Sequence, residues 1–383
     1  MEVLLISRGL PQEKYPLFGI FELDQAKALV SQGIQVTFFA VDIRSLRRKR
    51  KWGISHENRD GVDCYTISIP IGAVPLGIKS FLAEKALNIL YKHVYAKRRK
   101  PDLIHAHFIF QGYIAQKLAE KLNIPLVITE HSSDMNYEKL SVNNIRMGTA
   151  VYPRAARVIT VGKPLAENIK KNFAVECTVI PNIVDTSVFH CAEHTDDVFT
   201  FVSVGAVSER KNMLGLIAAF AKFHKIHQDS CLWIAGDGEQ MKDAQTLISQ
   251  LQLQDCVEMK GYQNRQAISG LFDRADAFVL LSRTETFGVV YIEAMAAGLP
   301  VIATRCGGPE DFVNETNGLL IGHTEEEAVQ AMCEMYEQYS RYDRQSISDE
   351  THRKFSGRQI AAQIIEAYHD ILKKQPEAEK EAI

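Results

Sequence analysis

Short apolar, β-branched runs alternate with longer stretches of helical periodicity along almost the whole chain. In the first half the pattern predicts strands near 3–7, 34–41, 62–69, 102–106, 125–129, 157–160 and 177–180. Helices are expected between them near 20–32, 79–98, 111–122, 144–155 and 162–172. The alternation breaks after Pro181, where 182–189 and the polar run His194-Thr195-Asp196-Asp197 read as a linker. A second series follows, with strands near 199–205, 231–236, 256–259, 276–281, 300–303 and 318–320, and a final helix over 355–373. Strand–helix alternation of this kind implies α/β architecture with parallel sheets. A chain of 383 residues is long enough for two such domains. We expect them over 1–190 and 198–354, with 355–383 forming a last helix and a frayed charged tail from Gln375.

The most informative stretch lies in the second half. Glu285-Thr286-Phe287-Gly288-Val289 leads into a helical pattern that carries Glu293 and stops at Gly298-Leu299-Pro300. Glu285 stands before the helix start, where a spare acceptor can meet ligand hydroxyls. Glu293 lies about two turns further on, so the two carboxylates address different parts of one extended ligand. Between them, the backbone N–H groups of Phe287, Gly288 and Val289 offer a helix N-terminus suited to phosphate. Hydroxyl acceptor, phosphate donor, hydroxyl acceptor is the order of groups in a sugar nucleotide.

Composition narrows the classes. Seven cysteines without C-x-x-C or Cys/His spacing argue against a disulfide framework and a zinc site and suit free thiols in a reducing cytoplasm. No apolar run approaches the ~18–20 residues of a membrane helix, and the N-terminus enters a strand without the layout of a signal peptide. The charge is uneven: residues 1–190 carry 26 Lys+Arg against 17 Asp+Glu, and the rest 18 against 30. The basic half includes 44–52, which runs from Arg44 to Trp52 with six basic residues between Arg44 and Lys51, and the cluster 97–100. We read the second cluster as a solvated helix end. The first, with its Trp, reads as an anchor for an anionic membrane surface, at about 1 kcal/mol per basic residue; nucleic acid is disfavoured.

The flanks sharpen the picture. With Leu280-Leu281-Ser282 before it and Ala296-Ala297-Gly298-Leu299-Pro300-Val301-Ile302 after it, the stretch resembles the Glu-x7-Glu signature of retaining glycosyltransferases of family 4. Without those flanks, two glutamates eight apart would read as a solvated helix face. The resemblance implies the GT-B fold: two Rossmann-like domains facing a central cleft, with a C-terminal helix crossing back to the first domain. Val204-Gly205-Ala206-Val207-Ser208-Glu209-Arg210-Lys211 is similar to the family's Val-Gly-Arg-Leu-x-x-x-Lys. Lys211 matches the lysine that neutralises the leaving diphosphate, but Ala206 stands where the family has arginine, so Arg210 or Arg283 must replace it or the site is weakened.

Several further motifs follow from the resemblance. Gly261-Tyr262 is similar to the loop that meets the nucleotide base, which makes Tyr262 a base contact, and Cys306-Gly307-Gly308-Pro309-Glu310 is similar to a loop packed beside the donor. Ala235-Gly236-Asp237-Gly238-Glu239 looks like a dinucleotide turn but lacks the third glycine, so we read it as structural. In the first half, Gly19 allows close backbone approach to a ligand and matches the glycine loop over the diphosphate. Asp102-Leu103-Ile104-His105-Ala106-His107 and Ile128-Thr129-Glu130-His131 end adjacent strands. A histidine by itself is more often structural; the match to the family makes His131 a contact to the donor sugar. His107 is a candidate for lining the acceptor pocket, and His105 for supporting the loop.

The implied chemistry is transfer from a nucleoside-diphosphate sugar, by default a UDP-sugar, to a hydroxyl of a glycan or a lipid-diphosphate-linked acceptor, as in surface polysaccharide synthesis. Lys211 and the Gly288 helix terminus would stabilise the departing diphosphate, with Glu293 on the ribose and Glu285 on the sugar. The resemblance implies retention, no metal and no cofactor, and the basic segment implies a place at the cytoplasmic face of a membrane. Competing readings are a nucleotide-sugar epimerase of the same fold and a silent partner subunit.

Overall fold

The computed structural model describes residues 1–44, 52–72, 74–137, 139–193 and 198–374. They form two compact units, Met1–Ile183 with Gly357–Ile383, and Val184–Ser356.

The first unit contains, in order, β1 (Glu2–Ser7), α1 (Ile20–Ser31), β2 (Gln35–Arg44), β3 (Gly53–Arg59), β4 (Val62–Pro70), α2 (Leu76–Tyr95), β5 (Leu103–His107), α3 (Ile109–Leu122), β6 (Leu126–Glu130), α4 (Val142–Val151), β7 (Arg157–Thr160), α5 (Lys163–Phe173) and β8 (Thr178–Val179). Its sheet runs β3-β4-β2-β1-β5-β6-β7-β8. All pairs are parallel except β3 with β4. β3 has no counterpart in the sequence reading. Almost every residue of it is exposed, so it lacks the buried alternation that marks a strand.

The second unit follows the same plan with β9 (Phe199–Val204), α6 (Met213–His224), β10 (Ser230–Ala235), α7 (Met241–Gln250), β11 (Val257–Gly261), α8 (Arg265–Asp273), β12 (Ala277–Leu280), α9 (Val289–Ala296), β13 (Val301–Thr304), β14 (Gly318–Ile321), α10 (Glu325–Glu337) and α11 (Arg344–Phe355). Its six strands run β11-β10-β9-β12-β13-β14, all parallel.

Parallel sheets bind ligands where the strand order reverses direction. That point falls between β1 and β5 in the first unit and between β9 and β12 in the second. The loops after these four strands carry Arg8, Phe108, Lys211 and Glu285.

Where the sequence suggested a boundary after 190, the chain enters the second unit at Val184. Val184 N–H donates to the Phe355 carbonyl (2.9 Å) and pairs with Ser356 in a parallel bridge. Ser269 Oγ donates to the Val188 carbonyl (2.7 Å), and Phe189 packs on Phe272. The polar stretch 194–197 of the expected linker lies outside the described residues.

The last helix, α12 (Gly357–Lys373), belongs to the first unit. Ile360, Ile364, Tyr368 and Ile371, at helical spacings of four, four and three, join Leu5, Leu23 and Leu29 in one core cluster.

Candidate active site

In the second unit, strand β9 ends in the Gly205 turn and strand β12 in Ser282–Glu285, which brings residues some seventy-five positions apart into one cluster. Lys211 Nζ donates to Glu285 Oε1 at 2.5 Å, and Arg210 Nη1 lies 3.5 Å from Glu285 Oε2. Ser282 Oγ adds a bond to Oε1 (2.7 Å). The loop is pinned from both sides: Arg283 N–H donates to the Arg210 carbonyl (2.8 Å), Glu285 N–H to the Cys306 carbonyl (2.9 Å), and Gly308 N–H to the Glu285 carbonyl (3.0 Å). Burial by itself would raise the Glu285 carboxyl; the Lys211 ammonium, its hydrogen bond, Ser282 and Arg210 outweigh it and hold the group below its ordinary range. Glu285 is therefore a buried anion already partnered by cations, whereas the sequence pictured a spare acceptor.

The two arginines offered in place of the family arginine are placed differently. Arg210 reaches the cluster, whereas Arg283 is largely exposed and faces Glu209 at 3.9 Å. Helix α9 starts after Gly288, with Val289, Val290 and Glu293 as its half-buried stripe. Glu293 Oε1 lies 3.8 Å from Arg265 Nε, a partner that the sequence reading missed. Phe287 is buried against Phe312 and Phe355, so only its backbone is left for a ligand. Tyr262 is exposed at the end of β11. The Gly236 turn is structural, since a Cβ there would meet the Gly205 carbonyl oxygen at 1.8 Å.

In the first unit His105, His107 and His131 form one chain, the first two buried and His131 half-buried. His105 and His107 stack at 4.6 Å and His107 and His131 at 5.2 Å. Asn182 Oδ1 can only accept, so His131 Nδ1 carries its proton (3.1 Å). His131 Nε2 then accepts from His107 Nδ1 (2.9 Å). That leaves His107 Nε2 to accept from the Gln25 amide (3.4 Å), which also reaches His105 Nδ1 (3.3 Å). Tyr368 Oη of α12 lies 2.5 Å from the same His105 Nδ1, whose single lone pair serves one of these two donors at a time, and His105 Nε2 lies 2.7 Å from Thr129 Oγ1. The links from Asn182 through His131 to His107 are satisfied with neutral rings. Burial first, and neighbouring charge second, depress all three: His105 and His131 to about 3, His107 well below 6.5.

Two expectations change here. Both ring nitrogens of His131 are taken by protein partners, so it does not present a spare N–H to a sugar. His107 is fully buried in the chain and is not among the residues lining the cavity of this unit. Gln25, Asn182 and Tyr368 were missed because polar residues far apart in sequence leave no local motif. Gly19, at φ +84°, needs to be glycine for the protein's own sake: a Cβ would meet the Gly9 carbonyl oxygen at 2.1 Å. It closes the turn that carries Arg8, whose guanidinium lies 4.2 Å from the Phe108 ring centre and 3.3 Å from Glu22.

Beside this chain, buried Glu130 accepts from the backbone N–H groups of Ile109 (2.8 Å), His131 (3.0 Å) and Ser132 (2.8 Å) and from Tyr152 Oη (2.8 Å). Burial pushes its carboxyl up and the four donors pull back. Glu130→Ala leaves those donors without a partner, and we expect it to cost about 3–5 kcal/mol of stability by urea unfolding. A loss below about 1 kcal/mol would mean that water replaces the carboxylate without cost.

Next to these loops is a cavity of 1220 Å³ formed wholly by the first unit, at the C-terminal ends of β1, β2, β5 and β6 and the start of α4. Among the described residues no group of three or more His, Cys, Asp or Glu is arranged to hold a metal ion, and no helix is long and apolar enough to cross a membrane. Trp52 is exposed, while 45–51 of the basic segment lie outside the described residues.

Residues 22–188 match the family described as Glycosyltransferase Family 4, and residues 191–351 match Glycosyl transferases group 1. The chain belongs to glycosyltransferase family 4. It is 28% identical over 363 residues to TuaC of Bacillus subtilis, a glycosyltransferase assigned to teichuronic acid biosynthesis, covering 88% of this chain and 89% of that one. Among solved structures it is similar to sucrose-phosphate synthase of Thermosynechococcus elongatus (TM-score 0.79, 22% identity, 97% and 99% coverage). It is also similar to Anabaena HepE, crystallised with UDP and glucose (TM-score 0.71, 20% identity, 97% and 100% coverage). The fold of this family 4 member is thus GT-B, with two Rossmann-like domains.

Proposed function

We propose that this protein transfers a sugar from a nucleoside-diphosphate sugar to a hydroxyl of a glycan or lipid-linked acceptor, with retention at the anomeric carbon and without a metal. The observation that carries the donor half is the cluster Lys211, Arg210 and Glu285 at the switch point of the second sheet. In this reading Lys211 and Arg210 neutralise the departing diphosphate together with the backbone N–H groups around Gly288. Glu285 accepts from the sugar hydroxyls and Glu293 from the ribose, with Tyr262 beside the base. The bond from the acceptor oxygen to the anomeric carbon forms as the bond to the diphosphate breaks. The acceptor proton passes to the leaving diphosphate, so neither glutamate acts as a nucleophile.

His131 enters the proposal as a positioning residue, because both its ring nitrogens are engaged. Gly19 shapes the loop of Arg8 rather than meeting the donor through a missing side chain. UDP is the proposed nucleotide, supported by the UDP-bound neighbour in fold. A surface polymer as product is supported by the relative assigned to teichuronic acid. Attachment to the membrane through Arg44 to Trp52 is part of the same proposal.

The test is thermal unfolding with a panel of nucleotide sugars, with and without magnesium. At 100 times its dissociation constant the donor adds about 2.7 kcal/mol of stability, and the shift should be independent of magnesium. Product anomers read by NMR should keep the donor's configuration. Isomerised nucleotide sugar with no acceptor would favour the epimerase reading, and no shift with any donor would favour the silent subunit.

A further inference from the structure

We infer that Arg265 is a positioning residue of the donor site: it holds the Glu293 carboxylate as acceptor for the ribose diol and so makes the site choose a ribonucleotide. The inference rests on the transferase reading, in which Glu293 meets the ribose. It adds a residue that none of the sequence motifs contains.

Three observations carry it. The first is where the cation stands. Arg265 is the first residue of α8, and the first turn of that helix holds no acid. The positive end of the helix dipole disfavours a cation there. The helix start is nonetheless fixed one residue earlier. Asn264 Oδ1 accepts from the Ala267 N–H (2.9 Å), and the Asn264 carbonyl accepts from the Ile268 N–H (2.9 Å). Arg265 is thus held where its own helix gives it no support, and such a break with a local rule marks a residue set by its tertiary partner or by function.

The second is what it faces. Arg265 Nε lies 3.8 Å from Glu293 Oε1, a contact between α8 and α9. The two side chains are only 18% and 12% exposed, while the neighbouring Asn264 and Gln266 stand in solvent. Withdrawn from water, a charge contact is stronger than at the surface. At 3.8 Å it is longer than a hydrogen bond, so the guanidinium orients the carboxylate by charge.

The third is what lies beside the pair. Tyr262, exposed at the end of β11, stands three residues before Arg265. Glu293 shares the half-buried stripe of α9 with Val289 and Val290, below the helix start at Gly288. Arg265 therefore ties the loop proposed for the base to the helix whose N-terminus is proposed for the diphosphate. A ribose spans that interval. Its two O–H groups need an acceptor, and a carboxylate can only accept; a guanidinium can only donate, so Arg265 does not compete for their protons. A site built around a hydroxyl rejects the analogue that lacks it.

The experiment is titration calorimetry on the whole protein with UDP, GDP and ADP, each set against its 2′,3′-dideoxy form. We expect the protein to bind its ribonucleotide at least about tenfold more tightly than the dideoxy form. Arg265→Ala should weaken the ribonucleotide at least about fivefold and leave the dideoxy form unchanged, and Arg265→Lys, which restores the charge, should recover part of that loss. Adding Arg265→Ala to Glu293→Ala should change binding by less than about twofold, as expected of a residue that acts through the other. Equal weakening of both nucleotide forms by Arg265→Ala would assign the arginine to the fold or the phosphates and overturn the inference. Unchanged ribonucleotide binding would overturn it too, as would losses that multiply in the double variant. Melting curves check folding, and Arg265→Met, which keeps the apolar stem, carries the same comparison if the alanine variant is unstable. Ribonucleotide binding that ignores Arg265 defeats this inference alone. Failure of the unaltered protein to bind any of the three defeats the donor reading itself.

Discussion

Lys211→Ala is expected to slow sugar transfer by about 10²–10³-fold, the usual cost of removing one preorganised charge from a developing anion. The loss should appear in kcat and kcat/KM together, since the diphosphate gains charge only as the sugar leaves. The same change leaves Glu285 buried with Arg210 and Ser282 as its remaining partners in the cluster. Breaking a buried pair on one side costs about 3–5 kcal/mol, so a bare alanine variant mixes two effects. The paired variant Lys211→Met with Glu285→Gln separates them. Its stability should recover most of the loss, because neither charge is then stranded, while transfer stays at or below the level of either single change. Transfer that recovered along with stability would assign the pair a structural role only and withdraw Lys211 from the chemistry.

Acidification from pH 7 to 5 is expected to remove on the order of 5 kcal/mol of stability, comparable with the whole stability of many domains. The three stacked histidines are the cause. Their folded values are depressed, to about 3 for His105 and His131 and well below 6.5 for His107. On falling pH the unfolded chain takes up the protons first. The stabilisation is thus complete above the ordinary 6.5 and is lost as pH falls towards the folded values, at up to about 1.4 kcal/mol per unit for each ring. Glu22 and Glu130, pushed up by burial, take up protons in the folded state and offset part of the loss near their own range. The window to measure is therefore pH 6.5 to 5, by urea midpoints. A midpoint that does not move there would mean that the rings are not held neutral, and the proton assignment along Asn182, His131, His107, Gln25 and His105 would fall with it.

Both experiments address features that the sequence supplied in pieces. Glu285, Glu293 and Lys211 were legible because each sits in a local motif with its own turn chemistry, and one strand–turn–helix is enough to place a charge at a strand end. Glu285 as a buried anion was not legible, because its state depends on a lysine seventy-four positions away. Arg210 was the sequence's candidate with Arg283 as the alternative; only the structure shows Arg210 facing Glu285 while Arg283 faces Glu209. His131 stood out by motif, yet its partners His107 and Asn182 decide which of its nitrogens carries the proton.

By itself, the sequence determined the alternation of strands and helices, the two parallel sheets, and the placing of Lys211, Glu285 and Glu293 in their turns and helix. All of these follow from short-range periodicity and from turns a few residues long; the family came from the resemblance of its motifs. It missed β3, whose residues are wet on nearly every side, and placed the boundary some seven residues late, because Val184 is held by Phe355 and Ser356 across the whole second unit. Tertiary structure alone decided which polar groups satisfy one another, and therefore their protonation. It also assembled the cavity from loops that follow four different strands. Burial and pairing are properties of residues brought together from distant parts of the chain, and no local pattern encodes them.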